Sequence, residues 1–299
     1  MDVSKFVQTA VDGLANGAIY ASLALALVLV HRATHIPNFA QGEMAMISAF
    51  IAWEVQERYG NAVGAWLTAL AVSMALSFLM GFFIERGIIR WVENSSPLTL
   101  LIITLGLLAI MTNGAGWQWT FLPKRSQSPF PTEPVSVGDV VLSWQTIGIV
   151  LVLILVMILV FGLFKYTKLG LGLRGAAGNP PSAKLVGINV GFMLGVGWGL
   201  AALVGATAGV MAAPKLGLQP NMMAPVILFA FAGAVLGGFD SPPGAVVGGL
   251  LVGLMQSFAA TYWVPHGNQL SLVLAFAVIL IVLLVKPNGI FGKAEVSRV

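Results

Sequence analysis

The sequence predicts an all-α, polytopic integral membrane protein with about 8–10 membrane-spanning or re-entrant helices, and three observations predict it. Apolar residues fill 58% of the 299 positions and charged residues only 9%, against about 45–50% and 25% in soluble domains. Fifteen basic and 11 acidic side chains cannot coat a soluble fold of this length. Finally, Gln145–Phe164 and Leu270–Val285 contain no ionisable side chain. At about 1.5 Å per residue each crosses most or all of a hydrocarbon core about 30 Å thick. Both runs are apolar all round, unlike the alternating segments of a β-barrel.

Taken in order, the predicted spans are about 11–30, 42–57, 62–84, 98–117, 145–164, 190–213, 225–238, 244–263 and 269–285. The start of the first carries Asp2, Lys5 and Asp12, without the basic start and cleavage site of a secretory signal, and reads as a retained span. The second and seventh are short for a crossing, which suits a tilted, broken or re-entrant element lined by protein. The whole chain, 1–299, is expected to form one transmembrane domain with an inner loop at about 165–189 and an outer loop at about 118–143. The outer loop holds Pro123, Pro129, Pro131 and Pro134 and reads as an ordered loop or small cap.

Orientation follows from lysine and arginine. The segment Lys165–Asn189 holds Lys165, Lys168, Arg174 and Lys184 and no acid, which assigns it to the cytoplasm. Counting outward puts the N-terminus outside and the tail, with Lys286, Lys293 and Arg298, inside. Arg32, Arg86 and Arg90 join the inner group; Lys5, Arg58, Lys124, Arg125 and Lys215 form the outer one. Trp53, Trp66, Trp117, Trp119, Trp144 and Trp263 fall near predicted outer ends, as an interfacial belt requires.

Glycine is concentrated within the helices, where it allows close packing in lipid. Gly191, Gly195 and Gly199 stack on one face, and Gly205 with Gly209 and Gly249 with Gly253 repeat the small-xxx-small spacing of packing faces. No catalytic constellation is present. His31, His35 and His266 lack the spacing of a metal site, there is no cysteine, and no phosphate-binding loop precedes a Lys-Ser/Thr pair. No cofactor and no nucleic-acid partner are expected. The spans after residue 98 carry no charge, whereas ion-coupled transporters keep titratable groups at midmembrane depth. A permease powered from outside the chain fits better, with a facilitative channel for small solutes such as urea or amides as the alternative.

Four segments then carry a resemblance. They are Asn38-Phe39-Ala40-Gln41-Gly42-Glu43; Arg174-Gly175-Ala176-Ala177 followed by Ala183-Lys184-Leu185-Val186-Gly187-Ile188-Asn189; the run Val235–Gly249 through Gly237-Gly238-Phe239-Asp240-Ser241-Pro242-Pro243-Gly244; and Lys286-Pro287-Asn288-Gly289-Ile290-Phe291-Gly292. In this order, over nearly the whole chain, they closely resemble the branched-chain amino acid ABC-transporter permeases, specifically the shorter LivH-like subunit. The resemblance implies the all-α importer permease fold, a heterodimer with a LivM-like permease, and two cytoplasmic ATPase subunits. It also implies a periplasmic solute-binding protein and a place in the bacterial inner membrane. The solute it implies is small and amino-acid-like, most often a branched-chain amino acid.

The cytoplasmic loop makes physical sense as the ATPase contact. Asn179 can cap a helix starting at Pro180, where a missing N–H costs nothing, and Gly187 can end it after about two turns. The resemblance assigns Arg174, Ala176, Ala177, Ala183, Lys184, Gly187, Ile188 and Asn189 to coupling. Gly-Asn-Pro-Pro stands where the wider importer motif begins with an acid. For Asn38, Phe39, Gln41 and Glu43 two readings stand: a helix start with Asn38 or Gln41 as cap, or polar atoms on the translocation path or gate. Gly237, Gly238, Ser241 and Gly244 are likewise either a broken helix beside the path or a tight turn at the cytoplasmic face.

Overall fold

A computed structural model describes residues 3–34, 37–60, 63–93, 95–131, 133–137, 140–263 and 267–292. His35, His266, Lys293 and Arg298 lie outside them. Helix α1 (Val3–Thr34) is followed by α2 (Gln41–Tyr59) and by α3 (Val63–Ile84), which continues through a π turn (Glu85–Ile89) into α4 (Arg90–Val92). Then come α5 (Pro97–Gln118), the antiparallel hairpin β1 (Val135–Val137) and β2 (Val140–Leu142), and α6 (Trp144–Tyr166). Two short helices, α7 (Lys168–Gly178) and α8 (Pro180–Leu185), precede α9 (Val190–Leu216) and α10 (Ala224–Gly237). The chain continues with α11 (Pro242–Phe258), extended by a π turn (Ala259–Trp263), and α12 (Gly267–Val285).

Among the described residues six helices are long and apolar enough to cross a membrane: Val3–Arg32, Val63–Val92, Pro97–Gln118, Trp144–Tyr166, Val190–Leu216 and Pro242–Tyr262. Ala224–Gly237 and Leu272–Val285 are shorter apolar helices, and α2 carries Glu43, Glu54, Glu57 and Arg58. Together these are the nine segments the sequence marks out. The first is longer than its apolar run because the turns bearing Lys5, Gln8 and Asp12 stay helical, with the Gln8 Oε1 accepting from the Val141 N–H of the hairpin at 2.9 Å.

Short polar residues start most of these helices. Ser96, Ser143, Thr167, Asn179, Asn189 and Ser241 each accept from the backbone N–H three residues on, at the starts of α5, α6, α7, α8, α9 and α11. Each cap satisfies one donor that has no partner in the first turn.

Helices α1 and α9 form the centre, with 89% and 72% of their spanning windows buried, while α3 and α5, at 22% and 28%, lie on the outside of the bundle. Close approach explains the glycine pattern. A Cβ on Gly253 would stand 2.2 Å from the Cα of Gly17, and one on Gly249 would stand 2.4 Å from that of Ala21, so α11 and α1 touch backbone to backbone. Gly195 and Gly199 of α9 receive Phe82 and Phe78 of α3, while Gly205 and Gly209 receive Gln41 and Ala45 of α2. The repeated glycines are packing faces, as their spacing predicts.

Loop contacts sort into two faces. On one, Lys124 and Leu218 exchange backbone hydrogen bonds at 2.8 and 3.0 Å, and Lys215 Nζ donates to Asn16 Oδ1 at 2.6 Å. On the other, Arg90 Nη2 donates to the Gly191 carbonyl at 2.6 Å and the Ile290 N–H to the Leu236 carbonyl at 2.8 Å. The first is the hairpin face and the second, carrying α7 and α8, the platform face. The grouping of lysines and arginines agrees with the sequence reading.

Candidate functional site

The first turn of α2 lies deeper than an inner mouth. Gln41 Nε2 donates to the Ala201 carbonyl at 3.0 Å. Ala201 is eleven residues into α9, so α2 begins about 16 Å along that helix axis, near its middle. Asn38 shapes the entry: its Oδ1 accepts from the Ala40 N–H at 3.0 Å, and its Nδ2 donates to Gln41 Oε1 at 3.3 Å. Both residues are buried and their polar atoms are engaged within the chain. They build the helix start rather than offering free donors to a solute.

Helix α10 starts at the same level. The chain leaves α9 at the hairpin face, pairs there through Leu218, and turns inward over 219–223. The far side of Gly42 then meets Met223 and Ile227, the first turn of α10. Two helices therefore begin side by side at mid-depth, α2 leaving toward the hairpin face and α10 toward the platform face. Their N-cap positions, Ala40 and Met223, make no side-chain cap hydrogen bond. A helix start carries about half a positive charge; that of α10 has no acidic side chain in its first turn, whereas that of α2 is offset by Glu43. This is the arrangement expected of the two short segments 42–57 and 225–238, and it arises because the chain re-enters the bundle before each helix.

Glu43 stands one residue on, 3% exposed, facing Thr112 of α5. Its Oε2 has no hydrogen-bond partner, and the ion pairs among the described residues, Arg58–Glu54 and Arg90–Glu85, do not involve it. Buried polar atoms are paired in the great majority of proteins, so such an oxygen marks a place where a donor belongs. Phe39, by contrast, is half-buried and stacks on Phe231 at 5.8 Å. Phe231 meets Phe239 at 5.2 Å, and Phe239 meets His31 at 4.9 Å, giving a line of rings from the two helix starts to the platform face.

The segment 237–244 forms a tight turn. A Cβ on Gly237 would lie 2.0 Å from the Gly244 carbonyl oxygen, and Gly238 has φ +99°, which favours glycine. Ser241 caps α11 through the Gly244 N–H. The fourth sequence motif closes over it: Ile290 and Phe291 donate to the Leu236 and Gly237 carbonyls at 2.8 and 3.1 Å. Gly237, Gly238, Ser241 and Gly244 thus hold a sealed backbone junction at the platform face, some distance from the helix starts.

The platform helices agree closely with the reading of their sequence. Asn179 Oδ1 accepts from the Ser182 N–H at 3.0 Å, Pro180 opens α8, and Gly187 turns the chain with φ +82°. Ala176 and Ala183 are buried against Val190, with Ile188 packed on the same cluster, so they anchor α8 to α7 and α9. Arg174, Lys184, Gly187 and Asn189 are exposed, with Ala177 partly so, and Asn189 caps α9. Leu185 and Val186, absent from the coupling residues read from sequence, are 88% and 75% exposed at the tip. Exposed apolar side chains on a capped, anchored helix signal a covered surface, and their position directly after Lys184 was the available clue.

The bundle is that of a multi-pass membrane protein. A family model described as branched-chain amino acid transport system / permease component matches residues 9–283. The high-affinity branched-chain amino acid transport system permease protein BraD of Pseudomonas aeruginosa is 32% identical, covering 100% of this chain and 99% of that protein. The corresponding LivH of Escherichia coli strain K12 is 29% identical over 98% of each chain. A probable branched-chain amino acid transport permease LivH of Methanocaldococcus jannaschii is 26% identical over 93% of this chain and 91% of its own. The chain belongs to this branched-chain amino acid permease family.

Proposed function

We propose that the chain is the membrane-spanning permease subunit of an ATP-driven importer, passing leucine-, isoleucine- or valine-like amino acids across a bacterial cytoplasmic membrane. The observation that carries this reading is the meeting of two helix starts without side-chain caps, α2 and α10, at mid-depth beside Glu43, whose Oε2 has no hydrogen-bond partner. Positive helix ends attract a solute carboxylate. Glu43 Oε2 can accept from its ammonium group. The Phe39–Phe231–Phe239 line offers the aliphatic side chain an apolar wall toward the platform face.

The lysine and arginine bias puts the platform in the cytoplasm, the N-terminus outside and the C-terminus inside. In this arrangement two ATPase subunits engage α8 through Leu185 and Val186, and hydrolysis takes place on them. A LivM-like permease completes the path, and a periplasmic binding protein delivers solute to the hairpin face. ATP binding then moves α8 as a rigid body and biases the bundle between outward- and inward-facing states.

Two variants of the reconstituted complex test this reading. Glu43→Gln is expected to lower amino-acid uptake about ten- to a hundredfold, the worth of one charge-assisted hydrogen bond, with assembly intact. Leu185→Glu is expected to release the ATPases. Unchanged uptake with Glu43→Gln would remove that residue from the path. Uptake by this chain alone, without ATP, would replace the importer by a facilitative channel.

A further inference from the structure

At the platform face a cavity of about 300 Å³ opens between α1, α6, α7 and α11. Arg32, Lys165 and Arg174, each from a different helix, stand around it. No carboxylate lies within ion-pairing distance of any of them among the described residues. Asp240 is in electrostatic range of Arg32, as is Arg174, and leaves the rim positive overall. Pro242 and Pro243, the first residues of α11, close the remaining side. Below the rim the lining changes character. Phe161 and Phe164 of α6 line the cavity, partly exposed, together with Leu25 and Leu29 of α1, which are themselves buried in the core.

We propose that this cavity binds an anionic phospholipid of the platform-side leaflet. The phosphate is held by Arg32, Lys165 and Arg174, and the upper part of an acyl chain lies over Phe161 and Phe164. Basic pockets between membrane helices take anionic headgroups because a low-dielectric wall strengthens the attraction that water would screen. The apolar floor decides between occupants. An acidic side chain of a soluble partner would satisfy the rim and leave the partly exposed Phe161 and Phe164 uncovered, whereas a lipid covers both. A free phosphate shares the rim chemistry but gains nothing from the floor.

The test measures lipid retained by the purified permease complex, with native mass spectrometry as the readout. The complex is equilibrated in nanodiscs of phosphatidylcholine mixed with phosphatidylglycerol and then extracted. Selective retention of phosphatidylglycerol is expected. An Arg32→Gln, Lys165→Gln variant should weaken it roughly thirtyfold, from two surface charges removed. Phe161→Gln, which makes the partly exposed floor polar and keeps all three cations, should weaken it at least about tenfold, and Arg32→Lys should preserve most of it. Equal retention of both lipids, or no change in either the charge or the floor variant, overturns the proposal. Displacement by millimolar inorganic phosphate assigns the site to a free anion and overturns the lipid. Retention of phosphatidylglycerol only after the ATPases are stripped from the complex assigns the rim to a protein contact and likewise overturns it.

Discussion

The Gln41 side-chain amide donates to the Ala201 carbonyl at 3.0 Å with both residues at 0% exposure, so the start of α2 is fastened to the middle of α9. Its other atom, Oε1, accepts from Asn38. Gln41→Leu should therefore leave the Asn38 amide with only the weak Met44 sulfur as acceptor and cost about 1–3 kcal/mol. A lowered unfolding midpoint in a thermal scan of the detergent-solubilised complex checks this. An unchanged midpoint would mean that α2 is held at mid-depth by packing alone.

The α1–α11 seam predicts a size limit. A Cβ on Gly253 already collides with Gly17, and Val at that position adds two further methyl groups. Gly253→Val is expected to cost at least about 1–3 kcal/mol through backbone displacement. The check is the yield of monodisperse protein on size-exclusion chromatography, with the exposed Gly64→Val, where nothing lies within 4 Å, as the control.

Glu85 and Arg90 predict a non-additive pair. Glu85 is 1% exposed and accepts two hydrogen bonds from Arg90, at 2.8 and 3.3 Å, across the π turn. Removing the cation alone, Arg90→Met, strands a buried carboxylate and should cost up to about 3–5 kcal/mol, reduced because the arginine is partly exposed. The double variant Glu85→Met, Arg90→Met should recover much of the loss. Thermal midpoints of the two single variants and the double measure the coupling directly. Additive losses would contradict it.

Asn179 predicts a defect of coupling rather than of folding. Its cap to Ser182 holds the first turn of a six-residue helix, and Asn179→Ala should cost about 1 kcal/mol there. The bundle does not depend on that turn. Assembled complex should form normally while solute-stimulated ATP hydrolysis falls, as read in proteoliposomes with and without loaded binding protein. Full stimulation would detach α8 from the coupling path.

Much of this architecture is legible in the sequence because lipid imposes simple demands. Length and apolarity mark the spans, Asn179-Pro180 and Gly187 bound the platform helix, and glycine at every fourth position marks the seams. Depth is not legible. Hydropathy reports that 42–57 and 225–238 are apolar and short, but not that the first begins beside Ala201, 160 positions from Gln41, or that the second begins against Gly42. Helix α7, with four glycines in eleven residues, has poor propensity of its own and forms where Gly170 packs on the carbonyls of Leu163 and Phe164. The π turn at Glu85–Ile89 brings Glu85 against Arg90, five residues on, while Arg90 also bonds the Gly191 carbonyl 101 positions away, and the hairpin lies in a proline-rich stretch with little periodicity. At the candidate site, the residue types at 38–43 are readable, whereas the division of labour is not. Asn38 and Gln41 bond within the chain, and only coordinates separate them from Glu43.

The paired helix starts have one consequence for how such a site would come to light. Their attraction for an anion resides in peptide groups, which every residue carries, so no single side-chain deletion removes it. An alanine scan across Ala40–Met44 and Met223–Ile227 would register the neighbours and pass over the field itself. Sequence drift at these positions is tolerable on the same ground, provided the two helices keep their depth. Discrimination between a carboxylate and an amide would then be inherited through backbone geometry, and it would be perturbed by proline or an inserted residue far more than by any change of side chain.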